Sequence, residues 1–92
     1  MKSTNYFDIP KKGFVELDAE ELIRLGYRIP GKVYFVYDNP YFRISSKPDG
    51  EFILGSSNIT KLKRMRIPKS FAEKNKRCRI MYDSETIHID FA

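Results

Sequence analysis

Apolar residues recur along this chain at every second position in two separate blocks, and a different pattern fills the stretches before them. Val33, Phe35 and Tyr37 share one parity, and Cys78, Ile80 and Tyr82 repeat it later. Each run is answered by a returning pair, Phe42 and Ile44 in the first block and Ile87 and Ile89 in the second. Spacing of two places side chains on one face of a strand. Asp38-Asn39 and Asp83-Ser84, which lie between the runs, are residues that stabilise turns by bonding their own backbone. Each block therefore predicts strand, tight turn, strand. Upstream of the first, Asp18 is a helix N-cap, Glu20 and Glu21 suit the positive end of the helix dipole, and Gly26 is a C-terminal stop. Upstream of the second, Pro68 suits a first helical turn, and a helix is expected over Lys69 to Asn75, anchored by Phe71.

These signals belong to an internal repeat. "VYFVYDNPYFRI" (Val33 to Ile44) lies over "CRIMYDSETIHI" (Cys78 to Ile89) at a constant offset of 45. A short strand, "GFVEL" or the run ending at Arg66-Ile67, precedes each helix, and an apolar strand opens each half, around Asn5 to Ile9 and Glu51 to Leu54. Lys47-Pro48-Asp49-Gly50 reads as the turn between the halves, and Gly55-Ser56-Ser57-Asn58 as a polar connecting loop. The order ββαββ thus occurs twice, over 1–46 and 47–92, within a single domain of 92 residues. Neither copy is large enough to bury its own core, so the two are expected to close on each other as a pseudo-twofold barrel without free edges. The predicted core comprises Phe7, Val15, Leu17, Leu22, Phe35, Ile44, Ile53, Ile67, Phe71, Ile80 and Ile89.

"MRIPKSF" and "LDAEELIRLG" give the order strand, Ile-Pro, short helix, Leu-Gly, hairpin. This pattern resembles the AbrB/MazE/SpoVT group of small prokaryotic regulators. Two fused units look more like the related RIFT-type cradle-loop barrels, notably small archaeal proteins. The resemblance implies a mostly β fold, a closed six-stranded cradle-loop barrel with pseudo-twofold symmetry and one short helix per half. Ordinary members carry one unit and dimerise; with two units in one chain, a monomer is expected. AbrB-like regulators commonly place a basic residue three positions before the junction isoleucine, which is Arg64 here. Their basic pair on the helix corresponds to Ala72-Glu73 and Leu22-Ile23.

Charge sharpens the picture. The net charge is +5, but residues 1–58 sum to zero, while 59–79 hold nine basic side chains against Glu73 alone. Within "KLKRMRIP" (Lys61 to Pro68), Arg64 and Arg66 face solvent if Met65 and Ile67 face the core, and the alternation slips at Leu62-Lys63. Arg77 and Arg79 alternate with Cys78 and Ile80 in the same way. A pooled field from Lys61, Lys63, Arg64, Arg66, Lys69, Arg77 and Arg79 would draw nucleic acid, most simply duplex DNA, by neutralising phosphates. The leading expectation is therefore nucleic-acid binding in transcriptional regulation. The same charges also fit a solvated strand face whose lysines discourage aggregation, or another anionic partner.

Catalytic chemistry finds few residues to use. His88 alternates with Ile87 and Ile89 and reads as an outward strand histidine, and Cys78 reads as a buried, inert thiol. One histidine and one cysteine cannot assemble an ordinary zinc site or a Cys-His pair. Asp38 and Asp83 read as turn residues rather than a carboxylate pair. No enzyme activity, metal or cofactor is expected. Two other classes remain open, a nucleotide or flavin binder with a pocket lined by Tyr27, Tyr34 or Tyr41, and a protein-interaction module. No apolar run approaches the roughly 20 residues needed to span a bilayer. The first residues carry no apolar export signal, and the lone cysteine cannot form an intrachain disulfide, so a cytoplasmic location is expected.

Overall fold

The computed structural model describes residues 2–48 and 53–92, which form one antiparallel sheet and two helices. In chain order the elements are β1 (Lys2–Ser3), β2 (Phe7–Asp8), β3 (Phe14–Glu16), α1 (Ala19–Leu25), β4 (Gly31–Asp38), β5 (Tyr41–Ser45), β6 (Ile53–Ile59), β7 (Arg64–Arg66), α2 (Lys69–Lys74), β8 (Arg77–Tyr82) and β9 (Ile87–Phe91). Across the sheet they run β1-β8-β9-β5-β4-β6-β7-β3, with β2 also paired to β8. The turn expected at Asp49-Gly50 and the Glu51-Phe52 start of a strand lie outside the described residues.

Alternation produces the two hairpins. Phe35 stands opposite Ile44 and Tyr37 opposite Phe42; Ile80 stands opposite Ile89 and Tyr82 opposite Ile87. The two hairpins thus share one register at an offset of 45. Each hairpin receives the opening strand of the other half: β6 pairs with β4, whereas β1 and β2 pair with β8. Between them β3 and β7 pair with each other, Val15 opposite Met65.

The expected closed six-stranded barrel is not formed. The sheet curls through 255° about its axis, with eight strands in succession, and its edges stay 13 Å apart. Paired strands lie about 4.8 Å apart, so this seam carries no ladder. Two corresponding tight turns differ by one hydrogen bond. β6 enters β7 through Thr60–Lys63, where the Thr60 N–H donates to the Arg64 carbonyl at 2.8 Å. β2 enters β3 through Pro10–Gly13, and at the matching position Pro10 has no N–H to give. The fold is an open half-barrel, broadly of cradle-loop type rather than a closed RIFT barrel.

The sequence signals explain the helices. Asp18 Oδ1 accepts from the Glu20 and Glu21 amides at 2.9 and 3.2 Å, satisfying donors that the first turn leaves free. Gly26 ends α1 with φ of 76°, its N–H donating to the Ile23 carbonyl. α2 has no side-chain cap and no fully buried residue. It is held instead by Phe71, whose ring meets Phe35, Phe42 and Phe91 at 4.8–5.8 Å between centroids.

The interior holds Val15, Leu17, Leu22, Phe35, Ile44, Ile67, Ile80 and Ile89, together with Val33, Ile59, Met65, Cys78, Tyr82 and Ile87. Phe7 and Phe71 are half-buried at its margin. Ile53, expected in the core, is exposed instead. In the β4–β6 ladder Phe35 pairs with Gly55 but Val36 with Ile53, so a bulge at Leu54 turns Ile53 to the other face. Gly55 to Asn58, expected as a loop, is the middle of β6, and its backbone belongs to the ladder with β4. Glycine fits there because a Cβ at Gly55 would come within 3.3 Å of the Pro68 ring.

Candidate nucleic-acid interface

Two lysine-bearing turns frame the candidate site, and their backbones are built alike. The Gly13 N–H donates to the Pro10 carbonyl at 2.8 Å, and the Lys63 N–H to the Thr60 carbonyl at 2.9 Å. The last residue of each turn has positive φ, 82° at Gly13 and 59° at Lys63. Such a turn followed by a left-handed residue is a common way to close a short hairpin. The slip in alternation at Leu62-Lys63 is therefore a turn. The turns expose Lys11 and Lys12 in one case and Lys61 and Leu62 in the other.

The β3–β7 pair joins the two turns. The Ile67 N–H donates to the Gly13 carbonyl at 2.7 Å, and the Leu17 N–H to the Lys63 carbonyl at 2.8 Å. On the outer face Phe14 stands opposite Arg66 and Glu16 opposite Arg64. The Arg66 guanidinium lies 5.8 Å from the centre of the Phe14 ring, and Arg64 reaches the Glu16 carboxylate at 3.4 Å. A groove of about 850 Å³ runs here, lined by Phe7, Pro10, Lys11, Lys12, Phe14, Val15, Glu16, Thr60, Leu62 and Arg64. Its walls are mainly apolar and its rim is cationic.

The structure gathers only some of the expected site residues. Lys61, Lys63, Arg64 and Arg66 share the β3–β7 end. Arg77 and Arg79 do not pool with them, because β8 lies on the far side of the seam and its cations have their own carboxylates. Arg77 stands 4.0 Å from Asp8, and Arg79 Nε donates to Asp90 at 3.1 Å. Tyr6 donates to the same Asp90 carboxylate, and its ring lies 5.0 Å from the Arg79 guanidinium. Lys69, on α2, is 3.9 Å from Glu73 one helical turn on. Lys11, Lys12 and Phe14 belong to the site although the charge sums pointed elsewhere. The signal was the correspondence of "PKKG" with "TKLK" at an offset of 50, five more than the hairpin offset.

The remaining candidates are placed as follows. Cys78 is buried, and burial pushes its thiol up to about 11, which keeps it protonated and unreactive at neutral pH. His88 points to the outer face, as its alternation with the buried Ile87 and Ile89 predicts, but is half-buried there: Nε2 lies 3.2 Å from Asp38 and Nδ1 3.3 Å from Asp83. The two repeat-related turn carboxylates therefore converge on one imidazole. The Tyr27 hydroxyl bonds to the Ile44 carbonyl and faces Thr86 Oγ1, so it is committed to the fold. Tyr34 carries Lys32 over its ring and Tyr41 packs edge-on against His88; none of the three lines the groove, and Tyr27 lines a separate, mainly polar pocket of about 220 Å³. Among the described residues no group of three or more His, Cys, Asp or Glu is arranged to hold a metal ion, and no helix is long and apolar enough to cross a membrane.

Fold and site together describe an open, curled antiparallel sheet with a cationic, aromatic groove at one end. In comparisons with family models, with curated proteins and with solved structures, none matches the chain.

Proposed function

We propose that this protein binds nucleic acid at the β3–β7 end of its half-barrel. One observation carries the reading: Lys11, Lys12 and Arg64 line a groove, Lys61, Lys63 and Arg66 lie at the same β3–β7 end, and the one carboxylate in that lining is Glu16, which pairs with Arg64. An excess of cations on one face attracts a polyanion by displacing its counterions. The resemblance of the Met65-Arg66-Ile67-Pro68 junction to prokaryotic regulators points to a role in transcription, with both halves of the grip supplied by one chain.

A titration against salt tests the reading. With roughly four to five phosphates neutralised, log K should fall against log salt with a slope of about −4 on duplex DNA, or about −3 on a single strand. Replacing Lys11 and Lys12 by Ala, or Lys61 and Lys63 by Ala, should each shallow the slope by more than one unit. Replacing Arg77 and Arg79 should change it far less, since neither lines the groove. Equal losses from all three pairs would leave only a diffuse surface charge, and the reading would fall.

A further inference from the structure

We propose that the nucleic acid is taken as a single strand, with unstacked bases in the groove and Phe14 as their stacking platform. The inference rests on the nucleic-acid reading and names the form of its ligand. Phe14 is 39% exposed although it sits in a sheet, and Leu62, across the groove, is 70% exposed. A duplex shows a protein its phosphates, sugars and base edges, so apolar rings and Leu62 gain little from it. Unstacked bases offer flat apolar faces to such surfaces, and aromatic side chains are their usual partners.

The groove has the chemistry for both parts of a nucleotide. Phe14 presents a ring backed by the Arg66 guanidinium, a flat cation on which a base can also stack. Lys11 and Lys12 stand at one end of the β3–β7 pair and Arg64 at the other, which suits a backbone running between the two turns. About 850 Å³ lies within the range of about 300–1,000 Å³ typical of small-ligand sites, room for on the order of one or two nucleotides. Across the seam a second exposed ring, Tyr6, lies under Arg77 and Arg79, so each edge of the sheet carries an aromatic–arginine pair.

Fluorescence anisotropy with labelled oligothymidylate, oligouridylate and a duplex of equal length, at one salt concentration, decides the matter. The single strands should bind at least about tenfold more tightly than the duplex. Phe14→Ala should weaken single-strand binding by about tenfold, the loss expected for one stacked base, while the salt slope stays unchanged. Phe14 is exposed, so an unchanged urea midpoint would show that the variant is folded; Phe14→Tyr, which keeps a stacking ring, should restore binding. Salt-dependent binding with equal affinity for both forms, or full single-strand affinity in folded Phe14→Ala, would overturn the single-strand assignment and leave the broader reading standing. Absence of salt-dependent binding to all three probes would remove both.

Discussion

Two residues at equivalent places in the lysine turns face the same backbone demand with different side chains. Gly13 meets a φ of 82° without cost, whereas Lys63 holds 59° with a Cβ in place. A side chain in this left-handed region costs roughly 1–2 kcal/mol, and a Cβ at Gly13 would also come to 3.4 Å from the Ile67 carbonyl oxygen. Gly13→Ala should therefore destabilise the protein by about 1–2 kcal/mol. Lys63→Gly removes the local strain but gives the unfolded chain more freedom, roughly 0.5–1 kcal/mol, so its net effect should run from about zero to about 1.5 kcal/mol of stabilisation. Urea unfolding of both variants checks the contrast. A larger loss from Lys63→Gly than from Gly13→Ala would mean that the lysine side chain contributes contacts of its own.

Capping separates the helices at the level of elements. The Lys2 ammonium, followed by the Glu21 and Glu20 amides, holds the Asp18 carboxyl below its usual range. On acidification the unfolded chain then takes up the proton first. The stabilisation is complete above the unfolded value near 4 and is lost as pH falls through the lower folded value. Asp18→Asn keeps a capping oxygen but does not titrate, so its stability should fall less steeply below about pH 4 than that of the unaltered protein. Asp18→Ala should lose about 1 kcal/mol at neutral pH as well. Chemical unfolding as a function of pH measures both, and an unchanged acid limb in Asp18→Asn would exclude the carboxylate as its source. The same cap was readable from the sequence because Asp18, Glu20, Glu21 and Gly26 act through local backbone geometry. The middle of β6 was not, because Gly55, Ser56, Ser57 and Asn58 are poor strand formers on their own. Pairing with β4 orders them, and no local signal announces the bulge at Leu54.

For the whole molecule, the repeat was visible but its closure was not. The hairpin cores carry their pattern openly, whereas the turn at Pro10 lacks the amide hydrogen bond that its counterpart at Thr60 makes, a difference that the apolar pattern does not register. The candidate site was half visible for a related reason. Arg64 and Arg66 lie in a strand with clear parity, but Lys11 and Lys12 disappeared into a sum over 58 residues that cancels distant acids. The exchange of opening strands has a further consequence, for the time order of folding. β1 and β2 precede β8 by some seventy residues, since Lys2 must find Tyr82 and Phe7 must find Cys78. They have no edge to join until β8 is in place. Such distant pairing places refolding in the millisecond-to-second range, measurable by stopped-flow tyrosine fluorescence, since the chain has six tyrosines and no tryptophan. Phe7→Ala should then speed unfolding while leaving the folding rate almost unchanged, because β2 docks after the rate-limiting step. A matching drop in the folding rate would instead make β1 and β2 part of the nucleus, so that folding waits for them to find β8.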